Sequence, residues 1–185
     1  MSPNPPTLHL VCGKIAAGKS TLTAELGRRS STVVVAEDQW LAQLYPGEQK
    51  TLADYVRNSS RLRGVMGPHV VALLRAGVSV VLDFPANTLA SRAWMRGLLE
   101  SAGVSHRLHH LDVPDDVCKA RLRARNEEGR HAFTVTDEEF DLFTSYFVAP
   151  TPEEGFDVIV HRPQRPDGEI ESCARCRRCS RRWWL

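Results

Sequence analysis

No apolar run in this 185-residue chain is long enough to cross a bilayer. Its first residues, Met1-Ser2-Pro3-Asn4-Pro5-Pro6, lack the basic-then-apolar layout of a secretory signal, so a cytoplasmic location is expected. No segment repeats another. A strong net charge is also missing, since the total is only +2. That total hides an asymmetry. Residues 162–185 hold seven Arg against Asp167, Glu169 and Glu171, a surplus of four positive charges, so the rest of the chain carries a surplus of two negative ones. A mildly acidic body gives no reason to expect nucleic acid as the partner. Cysteine is sparse, at five residues. Cys12 and Cys118 sit in apolar contexts and are expected as buried thiols. Cys173, Cys176 and Cys179 are evenly spaced but lack the fourth ligand of a zinc or iron–sulfur site. What is present, 42% apolar and 25% charged residues, excludes wholesale disorder and suffices for one domain with a real core.

The most specific feature is Gly13-Lys14-Ile15-Ala16-Ala17-Gly18-Lys19-Ser20, a complete G-x-x-x-x-G-K-S phosphate-binding loop. Its two glycines let backbone N–H groups close on a phosphate chain. Lys19 brings a positive charge to the β- and γ-phosphates, and the Ser20 hydroxyl can hold Mg²⁺. Leu8–Cys12 before the loop has strand character, and apolar positions at helical spacing follow it. That order of strand, loop and helix is the context the motif needs, with the helix N-terminus adding its dipole to the anion site.

The remaining chain alternates. Strands are expected at Leu8–Cys12, Thr32–Ala36, Val78–Asp83, Ser105–Asp112 and Asp157–His161. Helices are expected at Lys19–Arg29, Gln39–Leu44, Thr51–Arg75, Leu89–Ala102, Pro114–Asn126 and Asp137–Phe147. Val33-Val34-Val35 and Val80-Val81-Leu82 are continuously apolar, as in strands buried on both faces. The alternation predicts an α/β fold, a parallel sheet with helices on both sides. Gly77 and Gly103 mark helix ends. The organisation expected is an N-terminal tail at 1–6, a domain at 7–162 and a basic Cys/Arg-rich tail at 163–185.

In a parallel sheet, ligands bind beyond the carboxyl ends of the strands, where the loop also lies. Asp83 ends one strand there and can enter a Mg²⁺ shell, the alternative being a cap on the following turn. Glu37-Asp38 ends another. Asp38 can take the proton of an attacking hydroxyl, or cap Gln39–Leu44, and Glu37 is its substitute. Arg121 and Arg125 share one helical face and Arg130 follows Gly129. They can meet the charge of a migrating phosphoryl group, or pair with Glu127 and Glu128 on a solvated face. Asn87 and Arg92 either touch phosphate or substrate, or serve as a cap and a surface pair. Trp40, Tyr45 and Tyr55, with Arg57, Arg61 and Arg63, can wall an acceptor pocket, although aromatic residues at helical spacing more often pack in a core. His109-His110 reads as structural.

On Gly13–Ser20, Glu37-Asp38, Asp83-Phe84-Pro85-Ala86-Asn87-Thr88 and the arginines from Arg121 to Arg130, residues 7–162 resemble a P-loop kinase of the nucleoside-kinase-like group. This group takes in small ATP-binding proteins similar to zeta toxins, chloramphenicol phosphotransferase, gluconate kinase and polynucleotide kinase domains. The resemblance implies a five-stranded parallel sheet with the loop-bearing strand central, and a helical lid near 121–136 that closes over ATP. It implies ATP and Mg²⁺ as cofactors. Gly13, Ala16, Ala17, Gly18, Lys19, Ser20, Thr21 and Arg130 would hold the nucleotide, and Ser20 and Asp83 the metal. Asp38, Lys19, Arg121 and Arg125 would be catalytic. Two departures are visible: no second acidic residue follows Asp83 directly, and the Cys-rich tail fits no pattern of the group. No guanine signature of Asn/Thr-Lys-x-Asp type is present, which disfavours a GTPase.

The activity expected is phosphoryl transfer from ATP to a hydroxyl of a small molecule. Glu127, Glu128, Asp137, Glu138, Glu139 and Asp141 form an acidic stretch near the lid that either favours a polycationic acceptor, such as an aminoglycoside for a resistance enzyme, or is a solvated helix start where Asp137, Glu138 and Glu139 suit the dipole. The alternatives are a polynucleotide or nucleotide-sugar kinase, and a nucleotide-sensing ATPase module.

Overall fold

The structure is a computed structural model that describes residues 5–128 and 134–163, residue 52 by its backbone alone. Five strands form one parallel sheet: β1 (Thr7–Gly13), β2 (Thr32–Ala36), β3 (Ser79–Asp83), β4 (Ser105–Leu111) and β5 (Val158–His161). Their order is β2-β3-β1-β4-β5, which puts the loop-bearing strand at the centre. Between them run α1 (Lys19–Gly27), α2 (Glu37–Leu44), α3 (Leu52–Arg75), α4 (Leu89–Ala102), α5 (Asp115–Glu128) and α6 (Asp137–Ser145). A short 3-10 turn at Pro152–Glu154 precedes β5.

Local chemistry sets these boundaries. Thr51 and Asp54 close a reciprocal capping box at the start of α3, and Thr136 with Glu139 does the same for α6. Thr88 caps α4 through the Ser91 N–H, and Gly103 ends that helix at φ 66, a left-handed turn that suits glycine. The alternating side chains of the sheet split into two faces. Leu8, Leu10 and Cys12 of β1, with Val80, Leu82 and Leu108, join Leu62, Met66, Val70 and Leu74 of α3 and Met95, Leu98 and Leu99 of α4 in the main core. On the opposite face, α1 packs beside Val34, so closely at Gly27 that a Cβ there would meet it at 2.5 Å. A second cluster of Ala17, Leu111, Val113, Cys118, Leu122 and Phe140 seats α5 and α6 against the phosphate loop.

Two sequence expectations change. The apolar run of β2 is not buried on both faces, because β2 is an edge strand, and Val33 and Val34 are about 40% exposed. The second helix begins at Glu37, with Ala36 in the cap position and no side-chain cap bond. Asp38 therefore lies inside the first turn and does not cap it.

Candidate functional site

The loop between β1 and α1 is pinned at both ends. Gly13 ends β1, where a Cβ would meet the Leu111 Cβ at 3.1 Å and its carbonyl oxygen at 3.2 Å. Its N–H donates to Asn87 Oδ1 at 3.0 Å. At the other end Gly18 takes φ +104 in the cap position of α1, a conformation open chiefly to glycine. Ala16 is also left-handed, at φ 58. The fold thus holds the loop open toward the first turn of α1, where Ser20 and Thr21 are exposed.

Lys19 is drawn back over this loop. Its Nζ donates to the carbonyls of Gly13 and Lys14, both at 2.7 Å. Burial lowers the Lys19 pKa, and the nearby Asp83 carboxylate opposes the shift most strongly. Burial likewise pushes the Asp83 carboxyl above its usual range, the Asp38 charge adds to this, and Lys19 counters it. Lys19, Asp38 and Asp83 therefore feel one another's charge at the carboxyl edge of the sheet, where Ala36 and Asp83 lie in register across β2 and β3.

The adjacent carboxylates Glu37 and Asp38 have opposite surroundings. Glu37 is fully buried, accepts the Tyr55 hydroxyl at 2.8 Å and pairs with Arg63 Nε at 3.3 Å. Burial raises its pKa despite both partners. Asp38 is exposed and makes no hydrogen bond or ion pair with the described residues. Tyr55 and Arg63, expected along an acceptor pocket, are instead committed to Glu37, with Arg63 also lying over the Trp94 ring at 5.4 Å. Tyr45 packs against the main core, and Arg57 pairs with Asp54 at 2.7 Å. Trp40, two residues past Asp38, stays 41% exposed.

Arg92 is neither free for phosphate nor on the surface. Its guanidinium is fully buried and bonds Glu154 twice, at 2.5 and 2.9 Å, and the carbonyls of Ala86 and Val148 at 2.9 and 2.7 Å.

From α5, Arg121 Nη1 donates to the Ala17 carbonyl at 3.2 Å, which brings it to the phosphate loop. Arg125 is half-buried, and its Nε has no partner among the described residues. Lys14 pairs with Asp115 in the first turn of α5, so that helix is fastened to the loop at two points. Arg130 lies outside the described residues, as do Cys173, Cys176 and Cys179. At least three of the six residues of the acidic stretch are engaged within the fold. Asp137 pairs with Arg123, Asp141 with Lys119 at 2.7 Å, and Glu139 completes the cap of α6.

The donor set suits Mg²⁺. The Ser20 hydroxyl and the Asp83 carboxylate are hard oxygen ligands, and a divalent cation would oppose the desolvation and repulsion that raise the Asp83 pKa. Among the described residues no group of three or more His, Cys, Asp or Glu could hold a metal ion.

Sequence reasoning missed the contact between Asn87 and Gly13, 74 residues apart, and a ladder of three histidines. His9 Nδ1 meets His109 Nε2 at 3.1 Å, and His109 Nδ1 meets His161 Nε2 at 3.0 Å, across β1, β4 and β5. Strand order and register bring the histidines together, and the loop after β3 brings Asn87 to Gly13.

Comparison with known proteins agrees with this architecture. A candidate kinase from Chloroflexus aurantiacus J-10-fl superposes with a TM-score of 0.68 at 17% identity, over 87% of each chain. A sugar kinase from Janibacter sp. HTCC2649 gives 0.58 at 21%, over 85% of this chain and 86% of that one. The APS kinase of Mycobacterium tuberculosis, solved with AMPPNP and APS, gives 0.59 at 21%, over 88% and 91%. These likenesses show the fold. No curated protein matches the sequence. The AAA domain family matches residues 8–150, and the chain therefore belongs to that family, on the five-stranded parallel fold of P-loop kinases.

Proposed function

We propose that the protein is an ATP-dependent phosphotransferase that acts on a hydroxyl group of a small molecule. The observation that carries this reading is the contrast at the end of β2, where Glu37 is locked by Tyr55 and Arg63 while Asp38 stays exposed within reach of the charges of Lys19 and Asp83. A phosphate loop with a free carboxylate beside it is what transfer to a hydroxyl needs.

Backbone N–H groups of the loop after Gly13 hold the phosphates, and Lys19 leaves the Gly13 and Lys14 carbonyls to meet them. Ser20 and Asp83 would hold Mg²⁺, which would supply charge neutralisation at the phosphates. Asp38 takes the proton of the acceptor hydroxyl as its oxygen bonds to the γ-phosphorus. The bond from that phosphorus to the bridging oxygen breaks, and ADP leaves with the electron pair. Arg121, Arg125 and Arg130 meet the charge of the moving phosphoryl group.

An aminoglycoside acceptor is not favoured. Asp137, Glu139 and Asp141 already have partners in α5 and in the cap of α6, which removes much of the attraction for a polycation. ADP release from Mg²⁺-ATP, screened against sugars, nucleosides, aminoglycosides and oligonucleotides, tests the proposal. Release should depend on a hydroxyl acceptor and vanish in Lys19→Ala. A slow rate indifferent to every acceptor would point to the nucleotide-sensing alternative.

A further inference from the structure

Asn87 holds two distant parts of the chain at once. Its side-chain oxygen accepts the Gly13 N–H at 3.0 Å, and its main-chain oxygen accepts the Val148 N–H at 2.9 Å. Gly13 opens the phosphate loop. Val148 lies just past α6, on the chain that leaves the two helices packed against that loop. An N–H can be met only by the amide oxygen, so this contact also fixes which way the Asn87 amide faces.

The support around Asn87 is rigid. Phe84 and Ala86 are fully buried, and the Ala86 N–H donates to the Val11 carbonyl at 3.3 Å. Arg92 grips the Ala86 and Val148 carbonyls together, and Glu154 holds Arg92. Gly13 itself is packed against Leu111 on another side. The Asn87 side chain is thus the link between a fixed frame and the start of the loop.

We propose that Asn87 is a positioning residue of the nucleotide site, fixing the entry of the phosphate loop and coupling it to the chain that leaves α6. The inference rests on the phosphotransferase reading. Without the side-chain oxygen, the Gly13 N–H loses its partner and the loop's phosphate-facing N–H groups lose their registration. The Val148 contact survives, because it uses the main chain. Truncation at Asn87 should therefore loosen one anchor and spare the other.

The test uses full-length protein. In Asn87→Ala, calorimetric titration with Mg²⁺-ATP should show affinity weakened by about tenfold, the scale seen when an outer-shell orienting partner is lost. The KM for ATP should rise more than kcat falls. Hydrogen exchange without nucleotide should speed up at the Gly13 amide and stay slow at Val148. Asn87→Asp keeps an acceptor oxygen and should restore slow exchange at Gly13. Bound ATP should slow exchange over 147–154 in the wild type and not in Asn87→Ala. Unchanged ATP affinity and unchanged Gly13 exchange in Asn87→Ala would overturn the inference, as would fast Gly13 exchange in Asn87→Asp. Loss of Val148 protection together with Gly13 protection would make Asn87 a general structural residue. Wild-type protein that fails to bind ATP would overturn the phosphotransferase reading instead.

Discussion

Arg92 and Glu154 form an ion pair of two hydrogen bonds, 2.5 and 2.9 Å long, with the guanidinium wholly out of solvent. The Arg92 hydrogen bonds hold the Glu154 carboxyl below its usual range. Two more bonds from Arg92 reach main-chain carbonyls, so the guanidinium is satisfied only while Glu154 is charged and in place.

Removing Glu154 should therefore cost more than removing a surface charge. Glu154→Ala leaves a buried guanidinium without its counter-ion, and the expected loss is about 3 kcal/mol of unfolding free energy. Urea denaturation measures it. Because the folded pKa of Glu154 is depressed, its contribution is present above the unfolded value and fades as pH falls through the folded one. The wild type should converge toward the variant under acid conditions. A variant as stable as the wild type at pH 7 would show that the pair contributes no net stability.

The histidine ladder predicts a second acid weakness at a milder pH. Burial, aided by the charges of Arg29 and Arg107, lowers His9 from 6.5 to about 4. His109 falls to about 4 through burial and the neighbouring His9, His161, Arg29 and Arg107. Both rings are neutral in the folded state near pH 6, where the unfolded chain already takes up protons. Unfolding then binds protons, so stability falls as pH drops from about 6.5 toward 4. His9→Gln with His109→Gln should flatten the dependence of Tm between pH 7 and 5. An equally steep slope in that double variant would place the acid sensitivity elsewhere.

Gly13 has no room for a side chain. A methyl group there would press on the Leu111 Cβ and carbonyl at 3.1 and 3.2 Å, backbone and sheet atoms that cannot swing aside. Gly13→Ala should cost about 1–3 kcal/mol, as overpacking does, and weaken nucleotide binding. Thermal unfolding and ATP titration check the two effects. Gly47→Ala is a control, because nothing lies within 4 Å of its added Cβ, although its φ of +74 brings backbone strain. A Gly13→Ala protein with wild-type stability and affinity would show that the loop can shift without consequence.

What the sequence disclosed followed the range of the interactions. Gly13–Ser20 carries its meaning in eight consecutive residues, and Gly103 marks the end of α4 within its own turn. Strand and helix positions were therefore readable to within a few residues. The exposure of Val33 and Val34 depends on β2 lying at the sheet edge, which no local pattern encodes. The contrast between Glu37 and Asp38 was likewise hidden, because Tyr55 and Arg63, 18 and 26 residues away, single out one of two adjacent carboxylates. Arg92 looked like a surface or substrate arginine because its counter-ion is 62 residues distant. The acidic stretch at 137–141 looked like a binding surface because Arg123 and Lys119 sit on a separate helix.

We propose that Asp38, and not Glu37, handles the acceptor proton. The direct measurement is transfer of the γ-phosphoryl group from Mg²⁺-ATP to an acceptor found by the screen, comparing wild type with Asp38→Asn. Asp38→Asn should transfer at a rate reduced by about 100-fold or more, with ATP affinity and Tm unchanged, because Asp38 is exposed and makes no ion pair with the described residues. Wild-type transfer by Asp38→Asn would contradict it.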